Sequence, residues 1–186
     1  MSPMRYAIVP TALGAFGLAW NDAGIVRTWM HDRTAENTRR QIRRAFPGAM
    51  EDPDPPASVA QAVADVVALL ADGRSPAAAG RLDMAGIPEF DQRVYHLARA
   101  IPPGETLTYG AVAKALGEEP MRARDVGQAL SRNPFAPIVP CHRIVAANGQ
   151  LGGYSAPGGA ATKRRLLELE GAAIVAPQPE QTALFD

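Results

Sequence analysis

The chain has 186 residues, 47% of them apolar, with 19 basic and 19 acidic side chains. It is long enough for one globular unit or two small ones around a buried core, and its overall charge selects no partner. A single cysteine excludes an intramolecular disulfide and a multi-cysteine zinc site, and the three histidines are far apart in sequence.

That cysteine usage predicts a reducing, cytoplasmic setting. The N-terminus, MSPMRYAIVP, has no long apolar segment of the signal-peptide kind, and no apolar run approaches membrane-spanning length. Residues 5–31 read as β structure. RYAIV, LGAFGLAW and IVRTWM are short apolar runs, and Asn21, Asp22 and Gly24 between the last two predict a hairpin. Thr34 to Phe46 predicts a helix capped by Thr34, with Ile42, Ala45 and Phe46 as a narrow apolar stripe. Pro47 to Pro56 is a loop by composition, Ser58 to Leu70 a second helix, ADGRSPAAAG another loop and RLDMA a short strand. The first half therefore predicts a small α+β domain over residues 1–86.

The second half changes character. Phe90 to Ala100 predicts a helix with Val94, Leu97 and Ile101 on one face, broken by Pro102, Pro103 and Gly104. Thr108 caps a helix from Tyr109 to Leu116, Gly117 ends it, and Met121 to Ser131 forms the next. Two short helices on a tight turn have the helix-turn-helix outline. Thr162 to Glu170 is a last amphipathic helix with Leu166, Leu167 and Leu169 inward, ended by Gly171. This second domain is expected over residues 87–172, with 173–186 as a flexible tail.

Charge bears on the helix pair. Between Lys114 and Arg165 lie eight basic residues, Lys114, Arg122, Arg124, Arg132, Arg143, Lys163, Arg164 and Arg165, against Glu118, Glu119 and Asp125. A local excess of that sign in a neutral protein is the footprint of phosphate contacts, and a solvated helix face is the alternative.

The only cysteine lies in NPFAPIVPCHRIVAANG, Asn133 to Gly149. A thiolate is the nucleophilic form, so the chemistry depends on what ionises Cys141. A tight turn encouraged by Pro140 brings His142 into reach, directly or through one water, and a carboxylate then orients the imidazole. Glu168 and Glu170 are the candidates, Glu170 being freer to turn inward beside Gly171. A buried, inert cysteine is the alternative for a lone Cys-His pair.

The pair does not stand alone. PCHRIV, Pro140 to Val145, resembles the active-site signature of the O6-alkylguanine-DNA alkyltransferase family. The likeness extends through IPPGETLTYG, RARDVGQAL, Asn133–Pro134, GGYS at Gly152 to Ser155, and KRRLLELEG, covering roughly residues 88–171. The first half resembles the family's N-terminal domain only in general outline.

The resemblance implies an α+β chain with a small ribonuclease-H-like N-terminal domain and a helical C-terminal domain carrying a winged helix-turn-helix. It implies transfer of an alkyl group from O6 of guanine, and from O4 of thymine, in double-stranded DNA to Cys141, once per molecule, with no cofactor and no metal. His142 becomes the base with Glu170 behind it, Asn133 the brace of the cysteine turn, and Tyr109 the proton donor to the leaving base. The target nucleotide rotates out of the helix, and Arg124 fills the gap. Ala123 and Gly127 are small enough for the recognition helix to enter the minor groove. Phosphate contacts are expected near Thr106 and Ala111 and from Arg132. Val145, Tyr154 and Ser155 are expected around the flipped base. Tyr95 stands where relatives often have tryptophan, and Ala156–Pro157 after GGYS departs from the family pattern.

In the tail, Gln181 to Phe185, QTALF, resembles the pentapeptide that docks bacterial repair proteins on the sliding clamp, although a terminal Leu-Phe can also pack on its own domain. A monomer without membrane contact is expected. The rival functions are a non-catalytic damage sensor on the same fold, a helix-turn-helix regulator, and a cysteine peptidase or redox sensor. A redox pair lacks a resolving cysteine here, and a regulator leaves Cys141 unmodified.

Overall fold

The structure is a computed structural model, and it describes residues 3–77 and 79–174. β1 (Arg5–Thr11), β2 (Gly14–Asn21) and β3 (Gly24–Asp32) form an antiparallel meander. Asn21 accepts from the amides of Ala23 and Gly24 at 2.8 and 3.1 Å, which builds the expected hairpin turn. α1 (Ala35–Ala45) starts where Thr34 accepts from the Asn37 amide at 3.2 Å.

The segment expected to be all loop contains β4 (Met50–Glu51), which pairs parallel with β1 and gives the sheet order β3-β2-β1-β4. Its side chains are exposed, so no apolar pattern marks it in the sequence. The strand expected in RLDMA is reduced to a single parallel bridge between Leu82 and Ile25.

β2 is buried on both faces, and its alternation divides the core. Phe16, Leu18 and Trp20 face α2 (Ala57–Asp72), meeting Val66, Leu69 and Leu70. Ala19 lies on the other side with Tyr6, Trp29 and Ile42 of α1. Gly17 permits that packing, because a Cβ there would come within 2.6 Å of Thr38 Cγ2. The cluster facing α2 continues through Val94, Val112, Val126, Ile138 and Leu166, so one contiguous core runs through both halves of the chain.

α3 (Glu89–Arg99) buries Val94, Tyr95 and Ala98, with Leu97 only partly covered. The Tyr95 hydroxyl donates to Ala129 O at 2.9 Å, and its ring meets Phe135 edge-on at 6.3 Å. Two-residue strands β5 (Leu107–Thr108) and β6 (Ile144–Val145) pair in parallel. α4 (Tyr109–Ala115) is capped by Thr108, which accepts from the Ala111 amide at 3.1 Å. α5 (Ala123–Ser131) follows a single 3-10 turn at Pro120–Arg122, so the helix expected from Met121 begins two residues later. α6 (Gly159–Leu169) buries Leu166 and Leu167 but leaves Leu169 partly exposed. Among the described residues no helix is long and apolar enough to cross a membrane.

Candidate active site

The turn bearing the cysteine is built before the cysteine is reached. Asn133 accepts from the Phe135 amide at 2.9 Å and donates through Nδ2 to Val139 O at 3.0 Å, bridging the start and end of the apolar segment. The Ala136–Pro137 peptide is cis. Cys141 to Arg143 then form one 3-10 turn, with the Arg143 amide donating to Pro140 O at 2.9 Å. Cys141 is 5% exposed. Burial pushes its thiol up, while a hydrogen bond from Asn133 and the charge of Lys163 act the other way without cancelling it.

His142 is fully buried, and its Nε2 lies 2.8 Å from Glu170 Oε1. Burial lowers its pKa below the ordinary 6.5, against the pull of Glu170 toward the cation, so the ring is neutral at pH 7. A carboxylate only accepts, so Nε2 carries the proton and Nδ1 presents a lone pair. Nδ1 is buried with no hydrogen-bond partner.

Burial alone would raise the Glu170 carboxyl, but hydrogen bonds from His142 and Arg143 outweigh it and hold Glu170 below its usual range. Arg143 reaches Glu170 through Nη2 at 2.8 Å and Nε at 3.1 Å, and donates to Ile101 O at 2.6 Å. Of the two carboxylates weighed from the sequence, Glu170 makes these contacts; Glu168 is exposed.

Cys141 forms part of the wall of a cavity of about 830 Å³. Tyr109, Gly153, Tyr154 and Ser155 line it on one side, and Ala123, Arg124, Gly127 and Gln128 of α5 on another. Burial and the nearby Cys141 both raise the Tyr109 phenol, so it stays protonated. The Tyr109 hydroxyl donates to Gly153 O at 3.4 Å. Tyr154 is held further still above its ordinary value, chiefly by burial, then by its proximity and hydrogen bond to Cys141. The Tyr109 ring packs beside α5 at Gly127, where an added Cβ would make ordinary contact with Tyr109 Cε1 at 3.8 Å.

Half of the residues picked from the sequence therefore line one cavity, and His142, Glu170 and Asn133 stand behind its Cys141 wall. Val145 is absent from the cavity wall and packs with Leu167 and Ala172; Ala146 and Ala147 line the wall in its stead. Thr106, partly buried, precedes β5 and is also absent from the wall. The Ala111 amide is satisfied by Thr108 within the helix cap.

The eight-residue basic cluster is not a uniform phosphate surface. Arg143 and Lys163 have no exposure at all, because both are bonded inside the protein. Arg122 pairs with Glu118 and Asp125, and Arg132 forms a two-pronged pair with Asp91 at 2.9 and 3.0 Å. Arg124 stays exposed at the cavity wall, its neighbour Asp125 being taken by Arg122.

Sequence reasoning missed what the two buried cations do. Lys163 Nζ donates to Ile144 O at 2.5 Å and Gly153 O at 3.3 Å, and lies 5.6 Å from the Tyr109 ring centroid. Burial lowers it from 10.5 to about 8. The only sequence hint is its place beside Thr162 at the start of an inward-facing stripe.

Comparison with known proteins adds the relatives. Residues 89–172 match the model of the 6-O-methylguanine DNA methyltransferase DNA-binding domain. The methylated-DNA--protein-cysteine methyltransferase of Mycolicibacterium paratuberculosis is 35% identical over 170 residues, covering 90% of this chain and 92% of that protein. The chain belongs to the methylated-DNA--protein-cysteine methyltransferase family. A relative of the same name from Methanothermobacter thermautotrophicus is 45% identical over 93 residues, so the match spans half of each protein. The solved structure of Mycobacterium tuberculosis OGT in complex with DNA aligns with a TM-score of 0.69 and 32% identity, covering 90% of this chain and 92% of that one. The mixed α+β architecture of this chain is thus shared with that solved structure.

Proposed function

We propose that this chain repairs alkylated DNA by moving the alkyl group from O6 of guanine in a duplex onto its own Cys141. The observation that carries this is one cavity wall holding the thiol, a protonated tyrosine and an exposed arginine, backed by a neutral histidine anchored on a carboxylate.

Nδ1 of His142 takes the Cys141 proton, directly or through one water, and Glu170 steadies the resulting cation. The thiolate attacks the alkyl carbon in line; the carbon–sulfur bond forms as the carbon–O6 bond breaks. The electron pair flows into the purine, Tyr109 supplies a proton to that developing anion, and the proton that His142 then releases to water is matched by one that Tyr109 regains from it. Because Cys141 starts as a thiol held above its ordinary pKa, the base is required and not ornamental. A thioether has no easy reverse, so each molecule reacts once, without metal or cofactor.

The finer features extend the same proposal. The target base leaves the stack to reach a buried sulfur, with O4 of thymine as a second substrate. The α4–α5 pair acts as a winged helix-turn-helix whose small Ala123 and Gly127 admit the minor groove, and Arg124 occupies the vacated site. Thr106 and Ala111 contact the duplex backbone, which Arg132 reaches only by exchanging Asp91 for a phosphate, with Tyr154, Ser155 and the main chain of Val145 around the base. Residues 1–86 form a ribonuclease-H-like domain and 87–172 the DNA-binding and transfer domain. The protein works as a cytoplasmic monomer. The sliding-clamp motif, Gln181 to Phe185, lies outside the described residues; retention on clamp beads is expected to fall when the chain ends at Pro179.

Incubating the protein with duplex DNA carrying O6-methylguanine tests the central claim. Mass spectrometry of the Cys141 peptide is expected to show equimolar methyl transfer, absent in Cys141→Ala. An unchanged peptide mass refutes it.

A further inference from the structure

β3 is an edge strand of the four-stranded sheet, and the free backbone groups of such an edge need partners. Near its start Ile25 donates to Arg81 O and accepts from the Asp83 amide, both at 2.8 Å. Farther along, the same edge closes on the segment that leads into Cys141. The Thr28 amide donates to Pro134 O at 2.8 Å. The Thr28 hydroxyl has one proton, and it goes to Ala136 O, 2.6 Å away; Pro134 O is more distant at 3.2 Å. Thr28 is 8% exposed.

Asn133 holds this segment from within, so Thr28 holds it from without. Side chains two apart in a strand share a face. The next residue on the Thr28 face is Met30, whose Sδ receives the Tyr154 hydroxyl at 3.5 Å. One strand from the first half of the chain thus touches both the turn bearing the nucleophile and the tyrosine over the cavity.

We propose that Thr28 is a positioning residue for alkyl transfer, fixing the Asn133–Pro140 turn so that the Cys141 sulfur stands in line with the alkyl carbon. The inference rests on the proposed transfer to Cys141. Without the hydroxyl, the buried Ala136 carbonyl loses its donor and the turn relaxes. Displacements of about 1 Å are enough to slow an in-line attack on the order of a hundredfold.

Thr28→Val removes the hydroxyl at nearly constant shape, and Thr28→Ser restores it. Single-turnover methyl transfer at saturating O6-methylguanine duplex is expected to slow on the order of tenfold in Thr28→Val. Affinity for that duplex is expected to stay unchanged, and Thr28→Ser to keep most of the wild-type rate. If Thr28→Val fails to fold, Thr28→Ala is measured in its place against the same outcomes. A full-speed variant, a loss confined to DNA affinity, or a serine variant as slow as the valine one overturns the inference alone. Wild-type protein that transfers no methyl overturns the proposed function and this inference with it.

Discussion

Burial pushes the Cys141 thiol up and the His142 imidazolium down, so both side chains are neutral in the resting protein. The pH dependence follows from those directions. His142 accepts a proton only while neutral, and its folded pKa lies below 6.5. The acid limb of the transfer rate is therefore expected below pH 6.5, read from single-turnover rates across pH; a limb centred above 6.5 contradicts the base role. Stability moves the same way. The unfolded chain binds a proton at His142 as pH falls through 6.5 while the folded protein resists it, so folding free energy declines from there to the lower folded value. Glu170, held below 4.5 in the fold, adds a further loss on the same acid side. Tyr109 carries its proton throughout, its phenol being raised.

Among the elements, the stretch around Gly152 sets how closely the cavity wall meets Tyr109. Gly152 has φ of +68°, and a Cβ there would lie 3.1 Å from Tyr109 Cε2 and 3.2 Å from its hydroxyl oxygen. Gly152→Ala is expected both to strain this backbone and to push the phenol aside, slowing transfer on the order of tenfold. DNA affinity is expected to hold; an unaltered rate shows that the phenol position is irrelevant. At this scale much was legible in the sequence. Thr34 and Thr108 each cap the helix expected of them, because a hydroxyl before an apolar periodic run has a local use. β4 was illegible, since two exposed residues paired to a distant strand leave no periodic trace. Arg143 and Lys163 misled for a different reason. Cations are seldom fully buried, and only tertiary structure supplies the Glu170 carboxylate and the Ile101, Ile144 and Gly153 carbonyls that hold them.

For the whole molecule, the fate of those cations sets the response to salt. With Arg143 and Lys163 internal, and Arg122 and Arg132 tied to carboxylates, Lys114, Arg124, Arg164 and Arg165 remain of the expected cluster. The slope of log affinity for duplex DNA against log salt is therefore expected to be no steeper than about −4. A titration from low to moderate salt checks this, and a slope of about −5 would mean that the paired Arg122 and Arg132 also release to phosphate.

The two-rung ladder of β5 and β6 matches Leu107 to Ile144 and Thr108 to Val145. Tyr109 directly follows β5, and the turn bearing Cys141 leads directly into β6, so the ladder laces the two segments together. On the proposed reading, a shift of α4 against bound DNA is expected to carry the Cys141 turn with it. The distance from the Tyr109 phenol to the Cys141 sulfur is accordingly expected to hold when a duplex is bound, as two tools bolted to one plate keep their spacing when the plate tilts.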